Sequence, residues 1–132
     1  MPKKSRQNRL PGQAYAPGIH ARLWLIDEAG EHYLGVGKVR LMEAIDELGS
    51  ISHAARTLGM SYKRAWSLIQ EVNQLEDEPY VAKEVGGAGG GHATVTEAGR
   101  AAIACYRELE DDLRAFLAQR AQKKAGKRGG QA

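Results

Sequence analysis

The chain has 132 residues with ordinary hydrophobic (42%) and charged (27%) content, enough for one core and too little for two. No apolar run reaches membrane-spanning length and no charged-then-apolar leader opens the chain, so a cytoplasmic location with no membrane partner is expected; Cys105, as the single cysteine, excludes an internal disulfide. The net charge of +3 is uneven: Lys3, Lys4, Arg6 and Arg9 precede all 16 acids, and Arg114, Arg120, Lys123, Lys124, Lys127 and Arg128 follow them. By their Pro, Gly, Gln and Lys content the two ends read as basic disordered segments, 1–18 and 120–132, flanking one folded domain over 19–119.

Within that domain, His20 to Asp27 alternates apolar and polar side chains. Glu28 to Glu31 supplies the turn residues Ala29 and Gly30, and His32 to Leu34 returns, which predicts a short hairpin. From Lys38, the residues Val39, Leu41, Met42, Ile45 and Leu48 follow a helical period that ends at Gly49.

The stretch from Ser50 to Gln70 then reads as two helices joined by a tight turn. Ala54, Ala55 and Leu58 line one face, and Gly59 stands where a positive φ would end the first helix. Met60 tucks under the turn, Ser61 caps the second helix, and Ala65, Ile69 and Val72 restart the apolar period. This is a helix-turn-helix. The outward face of its second helix carries Ser61, Tyr62, Lys63, Ser67 and Gln70, with Arg64 and Trp66 at the margins. No acid occurs from Leu48 to Gln70, and such a face suits a phosphate-lined groove.

After Pro79 comes a β-branched run, Tyr80 to Val85, then the loop Gly86 to His92, then Ala93, Thr94 and Val95, with Thr96 placed to cap a helix from Glu97 to about Gln122. A hairpin directly after the second helix of such a motif is a wing, and its glycines let backbone N–H groups approach phosphate. Along the last helix Ala101, Ala104, Cys105, Leu109, Leu113, Phe116 and Leu117 make an apolar stripe too long for so small a core, which suggests a partner helix. Cys105 reads as a small packed residue of that stripe.

The segments GSISHAARTLGMSYKRAWSLIQEVNQ and GGAGGGHATVTEAGR resemble the N-terminal DNA-binding domain of the ModE family, the bacterial molybdate-responsive regulators, whose helix-turn-helix is in turn similar to that of LysR-type regulators. The match covers roughly residues 23–117. The resemblance implies a winged helix with a short leading hairpin, a long terminal helix that helps form a homodimer, and a recognition helix beginning near Ser61. Full-length members of the family carry oxyanion-binding β-barrel domains after the winged helix. Here no run of alternating apolar residues follows Leu117, so direct molybdate binding is not expected.

Enzymatic readings find no support. Gly35, Val36, Gly37 and Lys38 lack the third glycine and the βαβ unit of a dinucleotide fingerprint, and the glycine loop lacks the Lys-Ser/Thr pair of a P-loop. His20, His32, His53 and His92 have no metal-ligand spacing, so no catalytic, cofactor or metal site is expected. The sequence thus predicts a mainly α protein with small β hairpins, a winged helix-turn-helix, that reads operator double-stranded DNA as a homodimer. Ser61, Tyr62, Lys63 and Ser67 would reach base edges, and Arg64 and Gln70 bases or phosphates. Ser50, Ser52, Gly89, Gly90, Gly91, His92 and Thr94 would contact phosphate. The competing readings are a winged-helix interaction module that never reads DNA and a small oxyanion-binding protein that uses the glycine loop.

Overall fold

A computed structural model of the chain describes residues 14–84 and 92–129, with side chains described as far as Gln122. The elements in order are β1 (Leu25–Ile26), β2 (Tyr33–Leu34), α1 (Val36–Leu48), α2 (Ile51–Thr57), α3 (Tyr62–Val72), β3 (Val81–Lys83), β4 (Ala93–Val95) and α4 (Glu97–Gly129). Of the described residues, those within 24–107 form one compact unit and those outside that range form a second.

The first unit is built on α1, α2 and α3, which pack pairwise. Val39, Met42 and Ile45 of α1, Ile51, Ala54 and Ala55 of α2, and Ala65, Ile69 and Val72 of α3 are buried. The alanines let the backbones of α2 and α3 approach. Gly49 ends α1 at φ 68°, its N–H donating to the Ile45 carbonyl at 2.7 Å, and Ser50 caps α2 by accepting from the His53 N–H at 3.1 Å. At the end of α2, Gly59 sits at φ 71°. Its N–H donates to Arg56 and that of Met60 to Ala55, the paired bonds of a Schellman motif. Ser61 then accepts from the Arg64 N–H at 3.0 Å and α3 begins. The turn predicted from Gly59, Met60 and Ser61 is therefore the observed one.

Asn73 closes α3. Its Oδ1 accepts from the N–H groups of Tyr80 (2.9 Å) and Val81 (3.0 Å), and its Nδ2 donates to the Val81 carbonyl (3.0 Å). From there β3 pairs antiparallel with β4 in the register Val81 to Val95, Ala82 to Thr94 and Lys83 to Ala93. The β4 strand also reaches the junction between α1 and α2: the Ala93 N–H donates to the Gly49 carbonyl at 3.1 Å, and Ser50 bridges to His92. Helix-turn-helix followed by a hairpin on the same core is the architecture of a winged helix. Thr96 caps α4, accepting from the Gly99 N–H and donating to the Pro79 carbonyl.

Several elements differ in extent from the sequence reading. Strand β1 covers only Leu25–Ile26 of the expected run from His20, because its partner offers only Tyr33 and Leu34 before α1 starts. The turn between them is as expected: Gly30 has φ 73°, and the Asp27 carboxylate accepts from the Glu31 N–H and from His32 Nδ1 at 2.8 Å. The His32 hydrogen bond holds the Asp27 carboxyl below its ordinary value. Helix α1 begins at Val36, two residues early, and β3 spans three of the six residues expected. Residues 85–91, including the glycine run of the wing, lie outside the described residues.

Helix α4 continues to Gly129 rather than stopping near Gln122, so the segment 120–132 is not a disordered tail over its helical residues. Ala, Gln, Lys and Arg dominate that stretch and are strong helix formers, and its charge did not reveal this. At the other end, Ala16 to Ile19 folds as a type II turn with Pro17 and Gly18 (φ 77°) at its centre, within the expected disordered arm. Its neighbour Tyr15 has the Arg114 guanidinium 4.3 Å above its ring. Met1 to Gln13 lie outside the described residues.

Cys105 is exposed, which corrects the expectation that it packs. The inward phase of α4 runs instead through Gly99, Ala102, Tyr106 and Glu110; Tyr106 is 1% exposed. Ala101, Ala104, Cys105, Leu109 and Phe116 fall on a different face and are exposed.

One buried charge joins three elements of the first unit. Lys38, 4% exposed, donates to the Tyr33 carbonyl at 2.9 Å, pairs with Glu71 of α3 at 3.0 Å and lies 3.5 Å above the Tyr33 ring centre. A lysine this buried stands only where each partner is present.

Three stability changes follow. A Cβ on Gly99 would run into the Tyr80 carbonyl oxygen and lie 2.7 Å from Val95 Cγ1, so Gly99→Ala is expected to cost about 3 kcal/mol in denaturant unfolding. Lys38→Met leaves the Tyr33 carbonyl without its donor and is expected to cost about 1 to 3 kcal/mol. Glu71→Gln leaves the enclosed Lys38 ammonium without its counter-charge and is expected to cost at least as much in the same measurement.

Candidate nucleic-acid interface

The phase of α3 decides what the first unit offers to solvent. Ala65, Leu68, Ile69 and Val72 turn inward, and Ser61, Tyr62, Lys63, Arg64, Ser67 and Gln70 are all exposed. All six predicted residues of this helix thus share an accessible surface. The first turn of α3 contains no acid and carries Lys63 and Arg64. Cations there oppose the positive end of the helix dipole, at a cost of roughly 0.3 to 1 kcal/mol each. The arrangement is therefore poor for helix stability and good for attracting an anion.

The start of α2 adds to this surface. Ser50 is half-buried with its Oγ engaged as a cap acceptor, and Ser52 is exposed. The bridge between Ser50 and His92 brings the root of the wing beside the first turn of α2, with His92 exposed. Thr94 is exposed too, but strand alternation puts it on the hairpin face opposite buried Ala93 and Val95. It therefore does not join the surface made by α3. Gly89, Gly90 and Gly91 lie outside the described residues.

Other residues of this surface were not singled out from the sequence. His53 and Arg56 are exposed on α2, with Arg56 in its last turn. Lys83 is exposed at the end of β3, its Nζ 4.7 Å above the ring centre of Trp66, which is itself half-buried. The signal for Lys83 was its place two residues after Val81 on one strand face; the signal for Arg56 was the acid-free run. Glu71, the acid nearest to this face along α3, is held by Lys38. Among the described residues there is no group of three or more His, Cys, Asp or Glu side chains able to hold a metal ion, and no helix long and apolar enough to cross a membrane.

No protein-family model matches the chain. Curated relatives do. The chain is 44% identical over 88 residues to the molybdenum-pterin-binding protein MopA of Rhodobacter capsulatus, a match that covers 67% of this chain and 33% of MopA. It is 42% identical over 80 residues to the molybdenum transport protein ModE of Azotobacter vinelandii, covering 61% and 30%. It is 40% identical over 84 residues to the DNA-binding transcriptional dual regulator ModE of Escherichia coli K12, covering 64% and 30%. The chain thus matches about a third of the length of these relatives. By sequence and by its winged-helix architecture, the chain is ModE-like, a homologue of part of the ModE and Mop proteins.

Proposed function

We propose that this chain is a cytoplasmic, sequence-specific DNA-binding transcriptional regulator that reads operator DNA as a homodimer, without enzymatic activity. The observation that carries this reading is the exposed, acid-free row from Ser61 to Gln70 on the second helix of a helix-turn-helix. Helix α3 enters the major groove. Ser61, Tyr62, Lys63 and Ser67 reach base edges, and Arg64 and Gln70 reach bases or the adjacent phosphates. Ser50, Ser52 and His92, with Gly89, Gly90 and Gly91 of the wing, contact backbone phosphate and set the register. The relative in Escherichia coli named as a DNA-binding regulator supports the same assignment.

The dimer rests on α4. Leu109 and Phe116 are 42% and 51% exposed, and a helix face of this composition is stable in water when another helix covers it. Two copies joined in this way present two recognition helices to a two-fold operator.

A second reading comes from the names of the relatives, since MopA is described as binding a molybdenum pterin. Titration calorimetry with molybdate against sulfate separates the two, because saturable binding selective for molybdate would favour the second.

In vitro selection from a random duplex pool tests the first reading: enrichment of a two-fold sequence supports it, and no selection removes it in favour of an interaction module. With the selected site in hand, Lys63→Ala is expected to weaken binding by about 1 to 3 kcal/mol and to relax preference at one position of each half-site. A loss uniform across sequences would make Lys63 a phosphate contact. Leu113→Asp is expected to convert a dimer to a monomer in sedimentation and to lower operator affinity, as the half-sites are then read separately.

A further inference from the structure

Trp66 and Lys83 have no role in the contacts assigned above. In the hairpin register Lys83 pairs with Ala93, which is 1% exposed, and its neighbours on the same face, Val81 and Val95, belong to the core. Strand alternation thus assigns Lys83 to the hairpin face that packs against the helices. A lysine on that face stays solvated only by running its stem along apolar surface toward the edge. Trp66 supplies the surface: Lys83 Nζ lies 4.7 Å above its ring centre, and Lys83 remains exposed.

This contact fixes where the charge can be. Trp66 lies one turn from both Lys63 and Gln70 on α3, so the ammonium is held at the margin of the recognition helix instead of sweeping the volume open to a four-carbon chain. Glu84, the one acid among the described hairpin residues, alternates to the other face. A compact cation with no planar fork, placed beside a groove-reading helix rather than on its exposed row, meets the DNA backbone before it meets a base edge.

We infer that Lys83 is a backbone-phosphate contact to double-stranded DNA at the seam between α3 and the hairpin, and that Trp66 is the residue that positions it. The inference rests on the DNA-binding reading. It adds one charge to the interface and gives the half-buried tryptophan a purpose that neither core packing nor base recognition supplies.

The test measures affinity of the full chain for its selected duplex and for a random duplex over a series of salt concentrations. K83Q is expected to bind roughly three- to tenfold more weakly on both DNAs and to make the log–log salt dependence shallower by about 0.9, while K83R keeps the slope. W66L is expected to lose the same increment, W66F to retain it, and W66L with K83Q to be no weaker than K83Q alone. An unchanged slope in K83Q overturns the contact. An undiminished effect of W66L in the K83Q background overturns the positioning role, since Trp66 would then act on DNA by itself. Lys83 is exposed, so K83Q folds as the unmodified chain does and decides the contact whether or not W66L folds. Absence of binding by the unmodified chain overturns the DNA reading and this inference together, whereas normal binding with an unaltered K83Q slope removes the Lys83 contact alone.

Discussion

Asn73 ends α3 with a carboxamide that holds three backbone groups of Tyr80 and Val81. That bracket fixes where β3 starts relative to the end of the recognition helix, and the remaining geometry is transmitted by hydrogen bonds. The register from Val81 to Val95 places β4, the Ala93 N–H ties β4 to the Gly49 carbonyl between α1 and α2, and Thr96 returns to Pro79 and Tyr80 before α4 begins. A closed circuit of satisfied polar groups behaves as a unit, so loosening one member frees the others. The angle between helix and wing is thus a property of the circuit, set before any partner arrives.

What could be read along the chain was whatever a single helix or turn specifies locally. The inward alanines follow the period of their own helices, and the caps at Gly59, Ser61 and Thr96 use backbone groups within a few residues, so each of these roles was implied by local spacing. Asn73 was invisible because its partners lie seven and eight residues away and make no periodic pattern. Lys38 was invisible for a related reason: its burial depends on Tyr33 and Glu71 meeting it from two other elements. On α4 the apolar stripe was legible, but the inward phase through Tyr106 and the exposure of Cys105 were not. An alanine-rich helix leaves several phases open until packing selects one.

The charge arrangement shows a local conflict resolved in favour of the surface. Lys63 and Arg64 occupy the end of α3 where acids would stabilise the helix, and Ser61 with the buried row from Ala65 to Val72 holds the helix despite them. Such departures from local preference concentrate where a surface has work to do. Three acids of the first unit are paired with cations away from this face's row, Asp46 and Glu43 with Arg100 and Arg107, and Glu71 with Lys38. The net acidity of the middle of the chain is therefore compatible with a face that attracts anions.

The burial of Lys38 also separates the lysines of this unit by chemical accessibility. Lys63 and Lys83 meet an amine-reactive reagent in solvent, whereas the Lys38 amine is enclosed by the Tyr33 ring, the Tyr33 carbonyl and the Glu71 carboxylate. Acylation there waits for those contacts to break. Its rate relative to the exposed lysines thus reports the free energy at which α1, α3 and the leading hairpin part from one another, a local opening that global unfolding curves average away.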